Sequence, residues 1–248
     1  MILNKIKKIC SNPEIIIKYL TSGNKQEIRR YISIKNDRKK MINACDLIDD
    51  LLKKNIDIKN IIDITSNQFG LIKYPIAWYA LIRKYSIERI VETGVSMGWS
   101  SFMILEALNR KKKGSLYSID LNDSEIVKEN GGVGYLVPPN YRIRWNLIIG
   151  DSKQHLEKLL DSLNQIDMFI HDSEHSDEHM SFEYNVAWKY LRKDGILCSD
   201  DINHSDAFKD FTSMHEKEIS NLTTFEEISR SSDNENLRPM VGYFFKSS

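Results

Sequence analysis

The chain has 248 residues, 41% of them hydrophobic, which suits one α/β domain with an appended segment and a full core. Its 35 basic and 35 acidic residues cancel, so no overall charge draws it to nucleic acid, and none is expected as a partner. The balance is uneven along the chain. Residues 1–40 hold eleven Lys or Arg against three Asp or Glu, a local +8 that the remainder offsets. Such an arm suits a membrane surface, an RNA or the acidic face of a sister subunit, but a solvated helical face is the simpler expectation. Cys10, Cys45 and Cys198 are far apart and form no Cys-x-x-Cys pair. They therefore suggest neither a disulfide framework nor a cysteine zinc site, and they fit a reducing cytoplasm. The run Ile15-Ile16-Ile17 is too short for a signal-peptide core or a membrane span, so a soluble cytoplasmic protein is expected.

Residues 1–68 repeat apolar positions at three- and four-residue spacing, as in Ile2, Ile6 and Ile9 and in Ala44, Leu47, Ile48 and Leu51. That period predicts amphipathic helices, with breaks near Asn12-Pro13, Ser22-Gly23 and Asn55. This helical N-terminal region is expected to pack on the main domain or to join chains into a homo-oligomer. A further helix, Ile76 to Arg83, leads into residues 69–248, where the pattern alternates. Strand-like runs are Arg89-Ile90-Val91, Leu116 to Ile119, Trp145 to Ile149, Met168 to Ile170 and Ile196 to Cys198. Helical segments such as Lys153 to Leu163 and Glu178 to Leu191 lie between most of them. Alternation of this kind predicts an α/β fold, a doubly wound, mostly parallel Rossmann-like sheet. Thr223 to Ile228 and Val241 to Phe245, joined by the polar stretch Asp233 to Asn236, read as a terminal antiparallel hairpin.

The first strand runs into Glu92-Thr93-Gly94-Val95-Ser96-Met97-Gly98-Trp99-Ser100-Ser101. Glycine lets the backbone turn sharply and a ligand approach it closely. The spacing Glu-x-Gly-x-x-x-Gly is neither the dinucleotide fingerprint nor the lysine-bearing phosphate loop. In a doubly wound sheet, ligands bind beyond the carboxyl ends of the strands. Those ends carry acid: Glu92, then Asp120, then Asp151 followed by Ser152. Asp120 is placed to accept from ribose hydroxyls, and Asp151 with Ser152 to lie near an adenine. Turn initiation by Asp120 and helix capping by Asp151 are the competing structural roles. The loop from Glu129 to Pro139 holds three glycines and reads either as a lid bearing Tyr135 or as an ordinary long connection.

The fourth and fifth strands close on His171-Asp172-Ser173-Glu174-His175 and Ser199-Asp200-Asp201. Neighbouring strands lie about 4.8 Å apart, so Asp172, Asp200 and Asp201 converge. Crowded carboxylates repel unless protonated or neutralised by a cation, and oxygen ligands favour a hard ion such as Mg2+.

The glycine turn and the successive acids resemble the class I S-adenosylmethionine-dependent methyltransferases. The segments 167–175 and 195–201 resemble the metal site of the cation-dependent O-methyltransferases, in the branch with macrolide-sugar O-methyltransferases and cephalosporin-biosynthesis proteins. The resemblance spans roughly residues 68–245. It implies S-adenosylmethionine as cofactor, bound by Glu92, Gly94, Gly98, Ser100, Asp120, Asp151 and Ser152. It also implies Mg2+ on Asp172, Asp200 and Asp201, with His175 as the base that takes a hydroxyl proton from a small hydroxylated substrate such as a sugar or glycoside. Three other readings stay open. One is a zinc hydrolase on His171, His175 and His179, although His171 belongs to a strand end. Another is a metal-independent methyltransferase of the same fold, and the last is a non-catalytic cofactor-binding scaffold.

Overall fold

The structure, a computed structural model, describes residues 25–227 and 239–247. The helix breaks expected near residues 12 and 22, Cys10, and the polar stretch 233–236 lie outside them. The chain divides into two compact units, residues 1–43 and 44–248. Helix α1 (Lys25–Lys53) crosses the division. The break expected at residue 68 falls within α2 (Ile58–Phe69), inside the second unit.

The second unit continues with α3 (Lys73–Lys84), β1 (Arg89–Thr93), α4 (Trp99–Lys111), β2 (Ser115–Asp120), α5 (Glu125–Glu129), β3 (Trp145–Ile149), α6 (Ser152–Leu163), β4 (Ile166–His171), α7 (Asp177–Tyr190), β5 (Leu191–Ser199), α8 (Ala207–Met214), β6 (Ile219–Glu226) and β7 (Met240–Lys246). These seven strands form one sheet in the order β3-β2-β1-β4-β5-β7-β6. β1 to β5 pair parallel, and β7 runs antiparallel to both β5 and β6. The mostly parallel doubly wound sheet and its terminal antiparallel pair thus stand as expected.

Alternation along β1 sets the two layers, because successive side chains point to opposite faces. Val91 joins a core cluster with Phe169, Leu197 and Phe244 from the sheet and Leu156, Tyr184 and Phe211 from α6, α7 and α8. Glu92, the next residue, points to the other face, where Ser100 and Ser101 of α4 meet it. On that face α3 supplies the fully buried Trp78 and Tyr79, and α4 supplies Phe102. Arg110 of α4 ties the end of α1 to this layer through Asp46 at 2.8 Å and Asp49 at 3.1 Å.

Register places the strand ends level. Thr93 lies opposite Ile119 on one side and His171 on the other, and His171 lies opposite Ser199. Consequently the residues that follow, Gly94, Asp172 and Asp200, emerge in a row. Each donates its backbone N–H to a residue at the end of the adjoining strand: Gly94 to the penultimate Ile119 O at 2.9 Å, Asp172 to Thr93 O at 2.9 Å, and Asp200 to His171 O at 3.0 Å.

Candidate cofactor and cation site

A cavity of about 670 Å³ opens at these carboxyl ends. The β1–α4 turn lines it with Gly94 to Met97, the end of β2 with Asp120 and Asn122, the start of α6 with Asp151 and Ser152, and the end of β4 with Asp172 and Ser173. Gly94 has φ +81°, and a Cβ there would sit 1.8 Å from the Asp172 carbonyl oxygen. Only glycine lets the β1 turn pass so close to the end of β4.

Three residues expected against the cofactor take other positions. Glu92, Gly98 and Ser100 do not line the cavity. Glu92 is fully buried beneath the turn and accepts from Ser100 at 2.5 Å, Ser101 at 2.6 Å and Ser118 at 2.9 Å. Burial pushes its carboxyl up to about 6, against the lowering effect of those hydroxyls. Gly98 makes room for the loop that follows α5: a Cβ there would lie 2.9 Å from Gly134 Cα. That loop is pinned to the glycine turn, with Gly134 N donating to Ser96 O at 2.8 Å and Leu136 N to Met97 O at 3.0 Å. Val133, Leu136 and Val137 are buried, so this is packed structure at the edge of the turn and not a free lid.

Asp120 combines two roles. Its Oδ2 accepts from the backbone N–H of Val95 at 2.8 Å and Ser96 at 2.9 Å, and its Oδ1 from Asn122 N at 2.7 Å. The carboxylate therefore holds the glycine turn in shape while facing the cavity, and each oxygen keeps a further lone pair. Asp151 likewise caps α6 through Lys153 N at 2.8 Å and still lines the wall. The capping and ligand-facing readings were not exclusive.

The segment after β4 is anchored from below by a residue that the sequence did not single out. Glu183 of α7 is fully buried and accepts from Thr93 Oγ1 at 2.5 Å and Ser173 Oγ at 3.0 Å, and it contacts His171 Nδ1 at 2.6 Å and His179 Nε2 at 2.9 Å. Burial alone would raise its carboxyl, but the bonds to His171 and His179 outweigh that and hold it far below the usual range. His179 Nε2 also meets Ser152 Oγ at 2.9 Å. His171 and His179 are thus engaged with Glu183, and the structure does not gather His171, His175 and His179 as a zinc set. The signal in the sequence was the i, i+4 spacing of His179 and Glu183 on α7.

Asp172 and Asp200 follow the paired ends of β4 and β5 and stand as neighbours there. Desolvation, then the charges of Asp200 and Glu92, push the Asp172 carboxyl well above the ordinary range. Desolvation and Asp201 push Asp200 up to about 7. Asp201 follows in a left-handed conformation, φ +48°, which turns its Oδ2 toward His175 Nδ1 at 3.6 Å and His204 Nδ1 at 3.9 Å. Asp200 Oδ1 and Asp201 Oδ1 are buried with no hydrogen-bond partner, as is His175 Nε2. Unpaired buried carboxylate oxygens are the kind of ligand a hard cation satisfies, although among the described residues the ligand atoms that lie within 4.8 Å of one another are those of His175, Asp201 and His204 rather than those of the three aspartates. Burial, then His171, push the His175 imidazole down to about 4. Tyr74 completes this side of the cavity. Glu227 caps α3 by accepting from Lys73 N at 2.7 Å and Tyr74 N at 3.0 Å, which fixes the start of the helix.

Residues 91–202 match a family model described as a methyltransferase domain. No curated protein matches the sequence. Among solved structures, the chain is similar to the O-methyltransferase TomG of Streptomyces achromogenes, involved in tomaymycin synthesis and solved with S-adenosylmethionine. The identity is 15%, with 74% of this chain and 86% of that one covered, at a TM-score of 0.53. It is also similar to the O-methyltransferase of Bacillus cereus solved with SAH, at 12% identity, 68% and 79% coverage and a TM-score of 0.51. The strand order, the glycine turn at the end of β1 and the cavity above it agree with these matches: the chain has the class I S-adenosylmethionine-dependent methyltransferase fold, and its residues 91–202 are similar to a methyltransferase domain.

Proposed function

We propose that the chain transfers the methyl group of S-adenosylmethionine to a hydroxyl oxygen of a small molecule, a sugar or glycoside, with Mg2+ at Asp172, Asp200 and Asp201. The observation that carries this reading is the row of strand-end carboxylates beside His175, set against the cavity that Gly94, Asp120, Asp151 and Ser152 line. The solved relatives named above are O-methyltransferases, in agreement with an oxygen acceptor.

The cofactor would lie with its ribose toward Asp120, its adenine toward Asp151 and Ser152, and its methionine end over Gly94. A divalent cation supplies positive charge that makes a nearby hydroxyl more acidic. Asp172, Asp200 and Asp201 would hold that charge at one edge of the cavity. His175, neutral at neutral pH, offers a ring nitrogen to the departing proton. Because its own pKa is low, it serves as base only for a hydroxyl already acidified, so the carboxylate row and the imidazole are needed together. S-adenosylmethionine would supply the methyl for in-line transfer to the deprotonated substrate oxygen, with S-adenosylhomocysteine as the leaving group, and the buried walls would keep competing water away.

The test is transfer of labelled methyl from S-adenosylmethionine into a panel of hydroxylated acceptors. Transfer is expected with Mg2+, is lost with chelator, and falls at least ~100-fold in His175→Ala, the usual scale for a general base. Cofactor binding should be unchanged in that variant. Full activity of His175→Ala would remove the assigned base, and transfer indifferent to chelator would remove the cation.

A further inference from the structure

Beside the three aspartates lies a second donor set with a different chemical character. His175 Nδ1, Asp201 Oδ2 and His204 Nδ1 come from two loops that converge: His175 follows β4, and Asp201 and His204 follow β5. Each residue has a ligand atom, a ring nitrogen or a carboxylate oxygen, that lies within 4.8 Å of those of the other two. The loop after β5 is built for this juxtaposition. Asp201 adopts φ +48°, and His204 N donates to Asp201 O at 2.9 Å, a tight turn that brings residue 204 back over residue 201. The two separations from Asp201, 3.6 and 3.9 Å, are less than twice a metal–nitrogen bond of about 2.1 Å. No pair of ligand atoms in the group is more than 4.8 Å apart, so a single ion reaches all three once the two imidazoles draw slightly closer.

We propose that His175, Asp201 and His204 form a binding site for a borderline transition ion of the Zn2+ or Co2+ type, and that filling it shuts the enzyme off. Two imidazoles and one carboxylate suit Zn2+, Co2+ or Ni2+, and they suit Mg2+ poorly, since Mg2+ takes oxygen ligands and sheds water reluctantly. The site is also open: His204 is about half exposed, with 52% of its side-chain surface accessible, whereas His175 and Asp201 are at 20% and 19%. An ion can enter from solvent, and open coordination positions remain for water. Occupancy commits a His175 nitrogen and an Asp201 oxygen. Under the reaction proposed above, on which the inhibitory part rests, both groups are then withdrawn from proton transfer and from holding Mg2+. His204 itself takes no part in that reaction, so it separates the two roles.

The experiment titrates the full chain with Co2+ in excess Mg2+ and follows the visible d–d absorption, which reports nitrogen-ligated Co2+ whether or not any acceptor is methylated. One saturating equivalent is expected, displaced by Zn2+. His204→Gln should weaken that binding by about 100-fold or more, given that loss of an outer partner alone costs ~10–100-fold. It should leave thermal unfolding and Mg2+-supported transfer intact while making transfer resistant to Zn2+. Absence of the Co2+ band, or an equal band in His204→Gln, overturns the site. A His204-dependent band in a protein that methylates no acceptor keeps the site and discards the inhibitory role.

Discussion

Glu92 shows what a single buried charge contributes to this fold. Its three serine partners lower its pKa, but burial wins, and the carboxyl sits at about 6 against an ordinary 4.5. A raised carboxyl pKa means that the stability this group gives is complete below about pH 4.5 and is lost as pH rises through about 6. At 1.36 kcal/mol per unit this is about 2 kcal/mol. Glu92→Gln should therefore abolish that part of the pH dependence. Urea unfolding of wild type and variant at pH values either side of this window checks it, and parallel stability profiles for the two proteins would refute the assignment. The strand-end acids were visible in the sequence because Glu92, Asp120 and Asp172 each stand within one residue of the end of an apolar strand, β1, β2 and β4. The role of Glu92 was not, because proximity to the glycine turn does not tell which face of the strand its side chain takes. Alternation from Val91 sends it under α4, toward Ser100 and Ser101 and away from the cavity. His204 was equally hidden, since its relation to His175 exists only once the loops after β4 and β5 are brought together.

At the scale of elements, α7 braces the segment that follows β4. Glu183 reaches from the helix to the last residue of β1, to the end of β4 and to Ser173, and through His179 to the start of α6. A carboxylate in this position is a positioning residue for the segment that carries Asp172 and His175. Its pKa is depressed, the opposite sign from Glu92, so its stabilisation is present above the ordinary glutamate range and fades as pH falls below it. Glu183→Gln removes the charge from a buried network that holds two histidines, a change that costs about 3–5 kcal/mol at neutral pH. Denaturant unfolding of this variant should show that loss, together with a shallower decline in acid. A loss under about 1 kcal/mol would mean that the network is not organised around the charge. Helix lengths and strand positions were legible from periodicity, with α6 and α7 falling within a residue of the expected ends. The packing of the loop from Glu129 to Pro139 was not legible, because it depends on Gly134 fitting beneath Trp145 and on backbone bonds to Ser96 and Met97.

For the molecule as a whole, the sheet does two things at one edge. Parallel strands with level ends place a concave cavity over β1 and β2 and a carboxylate row over β4 and β5, and β7 seals β5 by pairing antiparallel to it. Among the described residues no helix is long and apolar enough to cross a membrane. The mostly parallel, doubly wound character of the sheet follows from alternating strands and helices and the handedness of their crossovers, so it could be read from the chain, whereas the strand order could not, because neither fixes where the winding reverses. The substrate could not, because acceptor specificity is set by the shape of loops at the cavity mouth. Under the proposed function binding and activation are divided: the cavity would hold the cofactor, and a cation on the carboxylates beside it would activate the acceptor. Equilibrium dialysis of labelled S-adenosylmethionine against the full chain, with and without chelator, tests that division most directly. One equivalent bound per chain in both conditions is the predicted result, and absence of binding, or binding that disappears with the chelator, would contradict it.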